Sequence, residues 1–262
     1  MFVDTKYKLS KLLRISSTDA LPGSVSKSDF MVDLGNNDAT EKCTNIGLKS
    51  CIFCNCFYNV NENNQNFTFL DDVTTRTVII PIGQYTTTTY IAALKAAIDA
   101  VLTSGSVAIT QSTVNSKLTF VFTGTSGDVT LYPKASNPGG NLVGITSDLI
   151  ANAGNTYTVT AQAMPRFYGL TEVFVEINEV FPTLLLDPST AVRNVGANIP
   201  ITAPFGALNH YEASNSQMAM FTYPSRRNFR TVHVRLIDRS GNVVDLQNNN
   251  LRLMLKSYYE TY

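Results

Sequence analysis

The chain has no tryptophan and only two histidines among its 262 residues. Charged residues are also scarce, at 15%, against about 25% in a typical globular domain. Lys and Arg total 20 and Asp and Glu total 20, so the formal net charge is zero. A chain with this balance has no overall attraction to nucleic acid or anionic lipid. Its weakly charged surface also does little to repel other copies of itself.

Long apolar runs are missing as well. No segment approaches the roughly 18 consecutive apolar residues of a membrane-spanning helix. The first stretch, MFVDTKYKLSKLLRISS, lacks the apolar region of a secretory signal. We therefore expect neither a membrane span nor secretion, and without secretion we expect no disulfides.

The motifs of common enzyme classes are absent too. The sequence has no GxSxG, HExxH, P-loop or GxGxxG pattern. His210 is predicted to lie in a loop, and His233 in an alternating strand that places Thr231 and Arg235 on the same face. A jelly-roll metalloenzyme typically needs two or three convergent histidines and a carboxylate. We therefore expect a protein that is not an enzyme, with no cofactor and no small-molecule substrate.

The four cysteines include a CxxCxC pattern, at Cys43, Cys51, Cys54 and Cys56. A structural zinc site usually has two separated pairs of ligands, and the second pair is missing here. Residues 52–58 have the composition of a strand, on which Cys54 and Cys56 share one face and Cys51 points to the other. Buried free thiols are therefore the favoured interpretation, and a zinc site is the alternative.

Strand patterns dominate the chain. Apolar and polar residues alternate over 28–34, 171–177 and 231–237, as in strands with one buried face. Short strands separated by long loops are typical of a β-sandwich or jelly roll. The small and polar segment 150–163 is interpreted as a linker or an exposed hairpin.

One segment has the spacing of a helix instead. Its apolar residues recur at i, i+4, i+8 and i+11, at Tyr90, Leu94, Ile98 and Val101. Threonines before the segment can cap a helix and Gly105 can end it, so the pattern predicts a helix over 87–103. The pattern thus predicts that residues 76–160 form a compact unit of strand, helix and strands between two β-rich flanks.

Two stretches resemble a known protein family. The first contains FYNVNENNQNFTF, VIIPIGQYTTTTYIAALKAAI, SKLTFVF and NLVGI, and the second is VHVRLIDRSGNVVDLQNNNLRLMLKSY. They are similar to the penton and minor capsid proteins of virophages, polinton-type elements and large double-stranded DNA viruses. Those proteins show an Asn-rich turn, an Ile-Pro-x-Gly-x-Tyr turn into a helix, and a final strand pair joined by an Asp-x-x-Gly turn. The match departs at 142–145, where the family has an adjacent Leu-Gly, and this leaves the subfamily open.

The resemblance implies a mainly β protein, a jelly-roll β-sandwich with a small inserted α+β segment that contains one helix. We expect the jelly roll to comprise 27–75 and 165–262, and the insert to comprise 76–164. Residues 1–26 are expected to form an N-terminal arm. Two sequential domains split near residue 165 are the alternative arrangement.

The resemblance also implies a function in an icosahedral virus capsid. The chain is expected to be a penton or minor capsid protein that acts by self-assembly and by contact with the major capsid protein. It would be found in the virion, and in the host cytoplasm or viral factory during assembly. The alternative function is a glycan- or receptor-binding jelly-roll module.

Two basic clusters are candidate sites for assembly or phosphate contacts. They are the N-terminal set Lys6, Lys8, Lys11 and Arg14, and the set Arg226, Arg227 and Arg230. We expect the arm 1–26 to be mobile in the free subunit and ordered against a neighbouring subunit, an inner membrane or nucleic acid. A solvated tail and a solvated loop are the simpler interpretations of the two clusters.

Overall fold

The computed structural model describes residues 7–35, 38–133, 137–181, 183–184, 193–214, 216 and 218–261. Within these ranges the protein is mainly β and divides into two compact units. The jelly-roll unit comprises Met1–Phe57 and Leu170–Tyr262, and the inserted unit comprises Tyr58–Gly169. No helix in the described ranges is long and apolar enough to cross a membrane.

Ten strands in two antiparallel sheets form the described part of the jelly-roll unit. Sheet one contains β1 (Tyr7–Ser16), β3 (Cys43–Cys54), β14 (Leu208–Glu212), β15 (Phe221–Arg227) and β17 (Arg252–Thr261). Sheet two contains β2 (Asp29–Asp33), β11 (Glu172–Ile177), β12 (Thr183–Leu184), β13 (Arg193–Pro200) and β16 (Thr231–Ile237). The order is β1-β17-β3-β14 in sheet one, with β15 also paired to β3, and β12-β13-β11-β16-β2 in sheet two. A short helix, α1 (Asp38–Glu41), and a 3₁₀ turn at Ser17–Asp19 lie between strands.

The core of the jelly-roll unit lies between its two sheets. The predicted alternating segments 28–34, 171–177 and 231–237 are observed as β2, β11 and β16, which are neighbours in sheet two. Most of their apolar side chains, such as Phe30, Val175 and Val234, are buried in one cluster with those of β1, β3 and β17. Each such side chain, when fully buried, contributes about 1.5–3 kcal/mol to folding.

The inserted unit has its own core. Its strands are β4 (Asn66–Asp71), β5 (Thr74–Ile79), β6 (Ser106–Gln111), β7 (Leu118–Thr125), β8 (Val129–Leu131), β9 (Leu149–Ala151) and β10 (Gly154–Thr160). They form a three-stranded sheet, β10-β7-β6, and a four-stranded sheet, β5-β4-β8-β9. A 3₁₀ turn at Pro138–Asn141 lies between β8 and β9. The segment 150–163, predicted as a linker or hairpin, supplies most of β9 and all of β10.

The helix of the inserted unit, α2 (Thr87–Asp99), confirms the predicted amphipathic segment and buries Tyr90, Leu94 and Ile98. It begins with a capping box between Thr86 and Thr89. It ends four residues before the predicted end, because the Asp99 carboxylate accepts the Val107 amide at 2.7 Å and directs the chain into β6. Local periodicity carries no information on this contact.

The boundaries of the inserted unit differ from the expectation of 76–164. The structure assigns Tyr58–Gly169 to this unit. Phe67 and Phe69 of β4 are fully buried in its core, and Phe69 is paired with Leu131 of β8. Residues 58–75 therefore belong to the inserted unit, because the apolar side chains of β4 pack in its core. Composition does not change at residue 58, so the sequence carries no mark of this boundary.

The expected N-terminal arm 1–26 also differs from the structure. Residues 7–16 form β1, which pairs with β17 over ten residues. Leu13 and Ile15 of this strand are buried in the jelly-roll core. The segment alone buries too little apolar surface to be ordered, but its pairing partner β17 lies more than two hundred residues later in the chain.

Asn59 connects two of the motifs that carry the family resemblance, the Asn-rich turn and the Ile-Pro-x-Gly-x-Tyr turn, both of which lie in the inserted unit. Its buried amide donates to the carbonyls of Tyr85 at 2.7 Å and Phe167 at 2.9 Å, and its oxygen accepts the Tyr85 amide at 2.9 Å. Beside it, Val60 and Gly83 exchange two backbone hydrogen bonds of 3.0 and 3.1 Å. The Asn-rich turn and the Ile-Pro-x-Gly-x-Tyr turn are therefore one hydrogen-bonded assembly.

We predict that Asn59→Ala lowers the free energy of unfolding by about 2–4 kcal/mol, because it leaves buried carbonyl and amide groups without partners. The measurement is denaturant unfolding followed by circular dichroism and by tyrosine fluorescence. Asn63→Ala is the control, because Asn63 is exposed in the same turn, and it should change stability by less than about 0.5 kcal/mol. Equal stability of the two variants would contradict the role given to Asn59.

Candidate assembly surfaces

The arginines at 226, 227 and 230 do not form one free basic patch. Arg226 is half-buried, whereas Arg227 is exposed and lies over the Tyr223 ring at 5.8 Å. The Arg230 Nε lies 3.2 Å from an oxygen of Asp33. The pKa of Asp33 is lowered, because the Gly35 amide donates to its carboxylate and Arg230 lies beside it. Arg227 and Arg230 therefore contact other side chains of the same chain.

Three residues of the N-terminal basic set, Lys8, Lys11 and Arg14, lie on β1, an edge strand of sheet one. Lys11 and Arg14 are exposed on β1, together with Leu9 and Leu12, which are 44% and 53% exposed. Lys6 and the side chain of Lys8 lie outside the described part of the chain. The cluster is thus partly placed on an ordered strand, where its spacing is fixed by the ladder to β17.

The outer face of sheet one combines apolar and basic side chains. Opposite neighbours on this face are Arg14 and Met254, then Arg252 and Ile52, then Ile52 and His210. Farther along β14, Leu208 lies opposite Cys54 and is 69% exposed. His210, predicted to lie in a loop, is therefore on a strand, β14. A sheet face with exposed apolar residues and few acidic ones is suited to contact with another protein.

The outer face of sheet two carries an ion-pair ladder. Arg235 donates to the buried carboxylate of Glu176 at 2.9 Å, and its Nε lies 3.7 Å from Asp29. The Nε2 of His233 lies 2.5 Å from the other oxygen of Asp29. These four side chains come from three adjacent strands, β11, β16 and β2. Cross-strand pairs of this kind stabilise a sheet.

The four cysteines lie in the jelly-roll core or pack against it. Strand β3 ends at Cys54, and the Cys56 amide donates a hydrogen bond of 3.0 Å to the Cys54 carbonyl, which turns the chain. Cys56 therefore joins Cys51 in the core, which corrects the prediction that Cys54 and Cys56 share a face. Burial raises the pKa of the Cys56 thiol to about 11. In the described ranges, no three metal-binding side chains converge.

A shallow cleft lies in the inserted unit. Its volume is about 300 Å³, and it is lined by Thr87, Gln111, Ser116, Met164, Pro165, Phe167 and Tyr168. Tyr168 is 68% exposed, and Phe167 is held against Tyr90, with 4.8 Å between the ring centroids. The Gln111 amide donates to the Ser116 carbonyl at 3.1 Å. The cleft thus combines an exposed aromatic ring with neutral polar groups and contains no charged side chain.

The fold can be compared with known proteins. The crystal structure of the mavirus penton protein aligns with 97% of this chain and with 100% of its own chain, at a TM-score of 0.51. The chain has a penton-like fold. Sequence identity in this alignment is 10%, so the likeness concerns the fold alone. No family model matches the chain, and no curated protein matches it in sequence.

Sequence patterns missed two strands of sheet one. The exposed edge at β1 and the apolar outer face of sheet one depend on strands β1 and β14, which were not predicted as strands. One signal was present for β1, since Leu9, Leu13 and Ile15 share one face of an extended chain. No comparable alternation marks β14, which is held by its register with β3.

We predict that only Cys54 reacts rapidly with a thiol reagent in the native protein at mildly alkaline pH. It is half-buried, whereas the other three cysteines are buried. All four thiols should react after unfolding in guanidinium. The measurement is a kinetic titration with a chromogenic disulfide reagent, and Cys54→Ser, which should abolish the fast phase, is the control. Loss of stability on adding a strong zinc chelator would instead support a metal site.

Proposed function

We propose that this chain is a structural subunit of an icosahedral virus capsid, of penton or minor capsid type. The observation that carries the proposal is the likeness of fold to the mavirus penton protein, which extends over 97% of the chain and so spans the jelly-roll and inserted units. In this role the chain assembles with itself and contacts the major capsid protein. Its place is the virion, after assembly in the host cytoplasm or viral factory.

The surface supports such a role. Symmetric shells need subunits whose surfaces match one another or a partner repeatedly. This chain combines zero net charge with exposed apolar residues on the outer face of sheet one, such as Leu12 and Leu208. Low charge reduces repulsion between subunits, and exposed apolar groups contribute affinity when they are buried.

We propose a structural rather than a catalytic role for the titratable side chains. His233, Asp29, Arg235 and Glu176 are cross-strand partners in sheet two. His210 is exposed on β14, on the outer face of sheet one. The two histidines therefore lie in different sheets, and each is explained by its position on a strand.

We predict that the chain is present in purified virions in a fixed ratio to the major capsid protein. A ratio that corresponds to the vertices would assign the penton position, and another low, fixed ratio would assign a different minor position. The measurement is quantitative mass spectrometry of virions that have been washed and treated with protease. A host-cell protein of similar abundance in the infected lysate is the control for carry-over. Absence of the chain from virions would refute the proposal.

A second candidate function is glycan binding by the inserted unit, and the observation that favours it is the cleft beside Tyr168. Sugars bind to exposed aromatic rings flanked by neutral hydrogen-bonding groups. We predict that, if the protein binds glycans on an array, Tyr168→Ala removes the signal. Tyr157→Ala is the matched control, because Tyr157 is an exposed tyrosine on β10 that does not line the cleft. No binding by the unmodified protein would refute this second function.

A further inference from the structure

Strand β1 is an unusually long free edge of the jelly-roll unit. It pairs with β17 on one side, and on its other side no strand in the described part of the chain is bonded to it. Five of its side chains, at Leu9, Ser10, Lys11, Leu12 and Arg14, are exposed. A ten-residue edge with open backbone groups is a template for pairing with another extended chain.

The register shows which backbone groups face outward. The Ser17 amide donates to the Leu251 carbonyl at 2.9 Å, immediately beyond the Ser16–Arg252 pair of the ladder. In an antiparallel ladder, residues that face the partner with both backbone groups alternate with residues that face away. Counting back from Ser17, the backbone groups of Ser10, Leu12 and Arg14 point away from β17. These are the groups that an added strand would bond.

The charges on β1 indicate which kind of added strand can pair with it. The sequence of β1, YKLSKLLRIS, contains Lys8, Lys11 and Arg14 and no acidic residue. Pairing β1 with the same strand of a second copy would therefore bring cations together without counter-charges, and like charges across strands are destabilising. In the described part of the chain, neither Lys11 nor Arg14 has an ion-pair partner. A strand with acidic residues opposite Lys11 and Arg14 fits this edge.

We infer that the free edge of β1 binds an extended segment of a different protein chain by β-augmentation. The segment carries acidic residues opposite Lys11 and Arg14, and apolar residues opposite Leu9 and Leu12. Backbone hydrogen bonds provide the affinity of such binding, and the alternating side chains provide its specificity. The site belongs to the jelly-roll unit and needs no capsid, so its test is independent of the proposed function.

The probe is a fluorescent synthetic peptide, Thr-Glu-Thr-Val-Glu-Thr-Val-Thr, compared with the same peptide in which lysine replaces both glutamates. Fluorescence anisotropy should show binding of the acidic peptide and much weaker binding of the lysine peptide. Residue-resolved hydrogen exchange should show fast exchange at Ser10, Leu12 and Arg14 in the free protein and slow exchange with the acidic peptide. Failure of these amides to become protected at saturating peptide would overturn the inference.

Two variants of Leu12 distinguish the contribution of its backbone amide to peptide binding from that of its side chain. Leu12→Pro removes an outward amide and leaves the ladder to β17 intact, because proline is tolerated on an edge strand where its nitrogen faces solvent. Leu12→Ala is the matched control, since it loses the side chain and keeps the amide. We expect the proline variant to bind about tenfold more weakly than the alanine variant. Equal affinities would overturn the inference.

A charge-reversed variant keeps the test decisive even if the proline variant does not fold. Lys11→Glu combined with Arg14→Glu alters two exposed side chains and should switch the preference from the acidic peptide to the lysine peptide. An unchanged preference would overturn the inference. Concentration-dependent self-association of the unmodified protein without peptide, abolished by Leu12→Pro, would also overturn it, and would assign the edge to a second copy of the chain.

Discussion

The antiparallel pairing of the last strand, β17, with β1 on one side and β3 on the other is the interaction on which the jelly-roll unit depends. These two ladders join the first described residues of the chain to its end and give sheet one most of its length. Leu253 and Leu255 of β17 are buried between Leu13 and Ile15 of β1 and the apolar residues of β3. Both partners of β17 lie far earlier in the chain, and such non-local pairing folds slowly.

Buried asparagines hold the loops that these sheets leave. Asn59 bonds two separate segments of the inserted unit. Asn137 accepts the Thr68 amide and donates to the Tyr132 carbonyl, and Asn209 accepts the amides of Thr202 and Ala203. An asparagine side chain both donates and accepts, so it can replace the backbone partners that an irregular segment lacks. Some of the Asn content of this weakly charged chain therefore has a structural use inside the molecule.

The two sheets of the jelly-roll unit use their charges differently. On sheet two, Arg235 is paired with Glu176 and Asp29, so its charge is balanced by carboxylates of the same sheet. On sheet one, exposed Arg14 and Arg252 lie among apolar side chains such as Met254 and Ile52. A face whose exposed cations have no ion-pair partner among the described residues is suited to a partner, and a face with internal ion pairs is suited to solvent or to weaker contact.

The sequence by itself determined the elements whose signal is local. Alternation located β2, β11 and β16, helical spacing and threonine caps located α2, and the order of short motifs pointed to the penton-like fold. The tertiary structure decided that β1 is a strand, that residues 58–75 belong to the inserted unit, and that Cys56 turns into the core. Each of these outcomes depends on a partner far away in the chain, β17 for β1 and β8 for β4. Local patterns specify which side of a segment is apolar, whereas only packing decides which other segment covers that side.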